Sequence, residues 1–390
     1  MAAAAVGSLL HSRHSIVGGV MVTSDAAASP YPTLLSLRGD HPIPGRHSVA
    51  SANRLGDVIA ARRGNDVVIV LISGGTSSMI GAPLRGMAES DLALLYEMLL
   101  GAGLDIRTMN AVRKRFSRWA AGRLALALAP AAMHCLAISD VPDDDLSVIG
   151  SGPCVPDTTT IADVKAILER VDLLVRIPQT YRDYLAAVAR GSIPETLGPS
   201  HPAFAHVAAR VIGNVRLAVA GAAARAREHG ASAEIVDTLL SGEAAAAGES
   251  IARQLLTYRI AHGAGGGPAV TIWGGEPTVT LSRGSGAHPT GGGRCQELAL
   301  AAARVLHDAR GHTSTITILA AGTDGRDGAT DAAGACVDSS TWRTIAAAGR
   351  DPAAALAAHE SFGALRAANA LVPRRDTGTN VTDVVIGLVA

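Results

Sequence analysis

Lysine is nearly absent from this chain. Lys114 and Lys165 are the only two, and the remaining fixed cations are arginines. A step that needs an amine therefore has two candidates. The four cysteines (Cys135, Cys154, Cys295, Cys336) are dispersed with no C-x-x-C spacing, which argues against a structural zinc or a disulfide framework. Reduced thiols in a cytoplasmic protein are the corresponding expectation. No run approaches the ~18 uninterrupted apolar residues of a membrane span. The apolar start, Met1-Ala-Ala-Ala-Ala-Val6, has no basic residue ahead of it and is soon interrupted by His11, Arg13 and His14, so it does not read as a signal peptide. Net charge is zero with no long basic run, which argues against nucleic acid or an anionic membrane as the main partner.

What is present is an ordinary globular composition, 48% apolar with few aromatics, in 390 residues that suffice for two domains. Strand-like runs at 16–23, 67–72, 134–139 and 207–212 alternate with helical ones at 51–63, 91–100, 117–128, 162–171 and 214–229. That alternation predicts a mostly parallel sheet with helices on both faces. A run at 233–239 and a helix near 243–260 extend it, until the glycine-rich stretch 262–268 marks a linker. The linker implies domains spanning 1–262 and 268–390. The second is a smaller α/β unit with short strands at 270–273 and 278–281 and a glycine-rich loop at 284–293. A helix at 296–306 and strands at 316–320 and 384–388 complete it. A cleft between two such domains is the usual place for a two-substrate site.

Several loops could carry chemistry. Gly322 to Gly334 sets Asp324, Asp327 and Asp331 among glycines, directly after a buried strand run. Carboxylates there hold Mg²⁺, accept hydrogen bonds from substrate hydroxyls, or form a solvated Asp/Gly turn. Ser73-Gly74-Gly75-Thr76-Ser77-Ser78 comes after the 67–72 run and offers backbone N–H groups and hydroxyls to a phosphate or carboxylate. It is neither a Walker A motif nor a GxGxxG fingerprint, so it specifies no nucleotide. Asn110-Ala-Val-Arg-Lys-Arg115 reads as the opening of a helix. Its bases are either a solvated face or an anion site, with Arg113 as fork and Lys114 as a mobile point charge. Asp140, at a strand's carboxyl edge, suits Mg²⁺ or a catalytic carboxylate, whereas residues 143–145 suit a helix cap. Gly291-Gly-Gly-Arg-Cys-Gln-Glu297 aims Arg294 at a transferring phosphoryl group or at a neighbouring carboxylate. A polar turn, Asp376-Thr-Gly-Thr-Asn380, precedes the last strand.

Taken in order, these motifs resemble the class II glycerate 2-kinases, whose carboxyl-terminal part is called the MOFRL domain. The likeness runs through His41-Pro42, Ser73–Ser77, Asn110–Lys114, Ser139-Asp-Val, Gly150-Ser-Gly-Pro153 and Pro156-Asp-Thr-Thr159. It continues through Gly274-Gly-Glu276, Gly292–Glu297, Gly322–Gly334 and Thr377-Gly-Thr-Asn-Val381. The resemblance implies a Rossmann-like first domain and ATP- and Mg²⁺-dependent phosphorylation of D-glycerate at its 2-hydroxyl, in the cytoplasm, with a homodimer as a possible assembly. It implies that Ser73, Gly74, Gly75, Thr76, Ser77, Asn110, Arg113, Thr379 and Asn380 bind substrate or phosphates. Arg294, Lys114 and Asp324 would be catalytic, and Asp140, Asp324 and Asp327 would hold metal. Relatives named hydroxypyruvate reductase make an NAD(P)H-linked reductase one alternative. A binding homologue without turnover is another, because the family's opening strand and its Gly-Lys-Ala lysine have no counterpart before Met1-Ala-Ala-Ala-Ala-Val6. Thr76 and Cys295 also stand where the family usually has glycine and asparagine, and Arg374-Arg-Asp376 replaces a Gly-Pro approach to the last turn.

Overall fold

A computed structural model describes residues 1–25, 27–64, 66–262, 267–281, 291–309 and 315–390. Most of the expected linker (263–266) and most of the expected glycine-rich loop (284–290) lie outside these residues. The chain forms two compact units, Met1–Ile212 and Gly213–Ala390. The division therefore does not coincide with the 262–268 stretch, because the strand and helix just before that stretch pack with the strands and helices beyond it.

The first unit runs α1 (Ala2–His11), β1 (Gly19–Thr23), β2 (Leu34–Arg38), α2 (Arg46–Ala60), β3 (Val68–Ile72), α3 (Thr76–Met79), α4 (Glu89–Gly101), α5 (Ile106–Phe116), α6 (Arg123–Leu128), β4 (Met133–Ile138), α7 (Ile161–Arg170), α8 (Gln179–Ala189) and β5 (Val207–Gly213). β1 and β2 form a parallel pair, and β3-β4-β5 form a second small sheet in which β3 and β4 are parallel. Local signals explain the helix starts. Asp105 caps α5 by accepting from Thr108 N, and Thr160 with Asp163 closes a capping box on α7. The basic run does not open a helix as expected; it fills the last turn of α5. Arg123 stabilises that end, its guanidinium donating to the carbonyls of Lys114 and Arg115 that a helix terminus leaves unpaired, and to those of Ser117 and Ala120 just beyond. The helix expected over 117–128 is confined to 123–128, because Ala121 and Gly122 adopt left-handed backbone. Leu92, Leu95, Leu99, Val112, Phe116, Leu168 and Tyr181 build one core, and β3, β4 and α6 enclose another.

The second unit runs α9 (Val215–Glu228), β6 (Ser232–Ile235), α10 (Ala244–His262), β7 (Ala269–Gly275), α11 (Arg294–Asp308), β8 (Ile316–Gly322), β9 (Ala332–Asp338), α12 (Thr341–Ala347), α13 (Pro352–Ala357), α14 (Ser361–Ala367), β10 (Leu371–Pro373) and β11 (Asp383–Val389). Its sheet has the order β10-β9-β8-β11-β7-β6 and is mixed. β11, last in the chain, inserts between β7 and β8 and runs antiparallel to both. Alternation of apolar residues shows that a segment is a strand but is silent about its direction. Val270 and Ile272 face α9, while Trp273, Ile318, Ala320 and Val385 pack toward α10 and α11. The strand expected over 278–281 is only a single bridge, Glu243 to Thr278. The acidic loop is shorter than expected, since residues 332–334 already belong to β9.

Candidate functional site

In the first unit the Ser73–Ser78 turn leaves the carboxyl end of β3 beside that of β4. The two parallel strands pair in register from Val68↔Met133 to Ile72↔Ala137. Asp140 comes just after β4 and lies against the turn: a Cβ on Gly74 would sit 2.0 Å from Asp140 Oδ2, so only glycine admits the carboxylate here. The His41 ring lies over the next residue, with Cδ2 3.0 Å from where a Cβ on Gly75 would be. Burial and the charge of Arg113 hold the His41 imidazole below the ordinary histidine pKa, against the opposing pull of Asp140. Thr76 Oγ1 donates to Ser73 O (2.7 Å), Ser77 and Ser151 share a hydroxyl–hydroxyl hydrogen bond (2.8 Å), and Tyr96 OH donates to Ser77 O (3.1 Å).

α5 contributes Asn110 and Arg113. Asn110 Nδ2 donates to Val148 O (3.0 Å), tying the helix to the segment that carries Ser151. Arg113 is 6% exposed and lies 4.3 Å above the Tyr96 ring centroid. Its Nη1 reaches Asn110 Oδ1 at 3.5 Å, while Nε and Nη2 are buried without a partner among the described residues. Burial lowers its pKa from the ordinary arginine value. Ser73, Gly74, Gly75, Thr76, Ser77, Asn110, Arg113 and Asp140 thus belong to one polar neighbourhood of the first unit.

Lys114 has a different task from the mobile charge expected of it. It is 3% exposed, and Nζ sits 2.8 Å from Asp157 Oδ1. Asp157 also accepts from Thr159 N (3.0 Å), Thr159 Oγ1 (2.8 Å) and Thr196 Oγ1 (2.8 Å). Burial raises the Asp157 pKa, but the hydrogen bond and charge of Lys114 together with Thr159 outweigh it, and the net direction is downward. Arg115 extends the network to Glu195 and Thr159 O. A lysine held this way is a buried ion-pair partner, not the mobile point charge expected.

In the second unit the start of α11 meets the sheet. Arg294 Nε and Nη2 hold the two oxygens of Asp383 (2.5 and 3.0 Å), and Nη1 reaches Glu276 Oε1 (2.7 Å). Burial works against the guanidinium charge, but these two carboxylates outweigh it and raise the pKa. Asp327 is not placed as a metal ligand. Its Oδ1 and Oδ2 accept from Cys295 N (3.1 Å) and Gln296 N (2.8 Å), so it caps α11. Asp324 differs: one oxygen accepts from Arg326 N (2.9 Å), and the other takes no hydrogen bond among the described residues. Mg²⁺ is commonly held by one or two carboxylates plus substrate phosphates, and Asp324 fits that demand while Asp327 does not. Among the described residues no three His, Cys, Asp or Glu side chains are grouped to form a cation cage.

Thr379 and Asn380 lie in an exposed turn stitched to the acidic loop. Thr377 Oγ1 donates to Thr323 O (2.6 Å), Thr323 Oγ1 to Thr382 O (2.6 Å), and Val381 N to Thr323 Oγ1 (2.9 Å). Asn380 Oδ1 accepts from Thr382 N (3.2 Å). Gly325, at φ +78°, packs so tightly on this segment that a Cβ would fall 1.6 Å from Arg375 O. Sequence reasoning gave no role to Asp157, Glu276, Asp383 or Tyr96. Glu276 and Asp157 stood inside noted motifs, but nothing local to Asp383 points to Arg294, which lies 89 residues away.

Two family models match: a domain of unknown function (DUF4147) over residues 1–186, and the MOFRL family over 269–383. D-glycerate 2-kinase of Thermotoga maritima is 37% identical over 95% of this chain and 84% of its own length. A protein named as a hydroxypyruvate reductase from Agrobacterium vitis is 37% identical over 94% of this chain and 80% of its own. The crystal structure of glycerate kinase from Thermotoga maritima superposes with a TM-score of 0.86 at 35% identity, covering 100% of this chain and 88% of that one.

Proposed function

The chain belongs to the glycerate 2-kinase (MOFRL) family, and from that premise we propose that it transfers the γ-phosphoryl group of ATP to the 2-hydroxyl of D-glycerate, as a cytoplasmic, Mg²⁺-dependent enzyme. The observation that carries this reading is Arg113, a buried guanidinium with two unmet donors beside a hydroxyl-rich turn. A cation desolvated without a counter-charge is costly, and an anionic ligand removes the cost. Both reactants of a glycerate kinase are anions.

The Ser73–Ser77 turn and Arg113 take an anionic group in the first unit. In the second, Arg294 offers the cation that a transferring phosphoryl group needs. Asp383 keeps it oriented, and the more exposed ion pair with Glu276, whose side chain is 44% exposed, is the one that yields. Asp324 is the carboxylate that would hold Mg²⁺, which when bound neutralises charge on phosphate oxygens. Thr379 and Asn380 shape the loop next to it. The test is ADP release in a coupled assay with ATP, Mg²⁺ and D-glycerate, with the phosphoglycerate isomer identified by NMR. Formation of 2-phosphoglycerate is expected. Loss of NADH absorbance with hydroxypyruvate, or ligand binding without turnover, would replace this reading with a reductase or a binding homologue.

A further inference from the structure

We infer that Arg113 is the carboxylate fork of this protein: its Nε and Nη2 take the two oxygens of a small 2-hydroxycarboxylate, rather than a phosphate of the nucleotide. The inference rests on the glycerate reading above and adds which anion the first unit receives. Its ground is which donors are unmet. Nη1 is turned to Asn110, and the two buried nitrogens without partners are Nε and Nη2. These two N–H groups lie side by side on one edge of the guanidinium plane, the geometry that matches a carboxylate bidentately. The same protein shows the arrangement completed elsewhere, where Arg294 uses Nε and Nη2 to hold both oxygens of Asp383.

Charge balance points the same way. Among the described residues no carboxylate pairs with Arg113. Tyr96 lies under its plane, and the nearby His41 is disfavoured in its charged form by burial and by this same guanidinium. One buried positive charge matches a carboxylate's single negative charge. A phosphate would bring a second one, in excess of the single buried cation. The Ser77–Ser151 hydroxyl pair and the Tyr96–Ser77 contact tie the turn to the tyrosine under this guanidinium, and such a polar surrounding suits a small polar acid.

The test is calorimetric binding without ATP, on wild-type protein and Arg113→Lys, of D-glycerate, its neutral amide glyceramide, lactate and ADP. The expected result is that wild type binds glycerate and lactate but glyceramide about tenfold or more weakly. Arg113→Lys should lose roughly 10- to 100-fold in carboxylate affinity with ADP affinity unchanged, the worth of a charge-assisted fork. Equal binding of glycerate and glyceramide by wild type overturns the inference, and that comparison needs no variant to fold. So does a variant that loses ADP affinity while keeping glycerate, since Arg113 would then be a phosphate site. If carboxylates bind in an Arg113-dependent way but glycerate is never phosphorylated, the inference stands and the kinase reading falls.

Discussion

Replacing Lys114 with methionine separates an internal counter-ion from a catalytic amine. In the folded first unit the Asp157 side chain has 0% exposure and accepts from Lys114, from the Thr159 backbone and hydroxyl, and from Thr196. Lys114→Met keeps the apolar stem and removes the nearer charge, leaving a buried carboxylate with three neutral donors and the Arg115 guanidinium at 3.9 Å. Breaking one side of a buried pair costs about 3–5 kcal/mol. The three remaining donors still solvate the carboxylate, so the lower end, about 3 kcal/mol, is expected. The second substitution, Asp157→Leu on top of Lys114→Met, removes the carboxylate that has lost its closest cation and should recover part of the loss. Urea unfolding followed by fluorescence reads the effect, with Trp119 reporting on the first unit and Trp273 and Trp342 on the second. The pH dependence has a definite sign. The Asp157 pKa is lowered in the folded state, so its contribution is present above the unfolded carboxylate value of about 3.9 and is lost as pH falls through the folded one. The gap between wild type and Lys114→Met should therefore persist at neutral pH and shrink below about pH 4. A variant whose stability lies within about 1 kcal/mol of wild type yet has no turnover would refute this reasoning and return Lys114 to catalysis.

Other substitutions test the remaining assignments. Asp327→Ala removes the cap of α11 and should cost about 1–2 kcal/mol in urea unfolding while the Mg²⁺ concentration for half-maximal activity stays put; a changed Mg²⁺ requirement at unchanged stability would make Asp327 a ligand after all. Gly248→Ala would relieve about 1 kcal/mol of helix strain at an open position. Here its Cβ would lie 2.0 Å from Leu298 O on α11, so a net loss of about 1–3 kcal/mol is expected, and a rise in the urea midpoint would contradict this packing. Arg294→Ala should lower kcat about 100-fold or more, whereas Glu276→Gln, which loosens only the exposed ion pair, should leave kcat at or above the wild-type value. Gly325→Ala forces a Cβ into Arg375 O and should cut activity by displacing the acidic loop, visible as increased proteolysis around residue 325.

Much of the fold was legible because strands and turns announce themselves locally. The runs at 67–72 and 316–320 are strands, within a residue or two, because branched apolar residues followed by glycine-rich polar turns favour no other local structure. The position of the polar turns after strands was legible for the same reason. Other readings lacked the deciding partner. The basic run was placed at a helix start because the local cap, Asp105, five residues before Asn110, was overlooked. The second part was read only as a smaller α/β unit with no strand direction assigned, since nothing in 384–388 shows that it pairs antiparallel with β7 and β8. Asp327 was read as a metal ligand, since an Asp/Gly loop looks alike whether its carboxylate faces solvent or caps a helix.

By itself, then, the sequence determined the family, the α/β class and the loops rich in chemistry, because those depend on residue types at short spacing. Only the tertiary structure decided which charges are already spoken for. Lys114 meets Asp157 and Arg294 meets Asp383, and both cations are thereby held in place, while Arg113 is left buried with its fork unmet. How a charged side chain can act on a ligand depends on which other residues already hold it. That is a property of contacts between distant segments, and no short stretch of chain contains it.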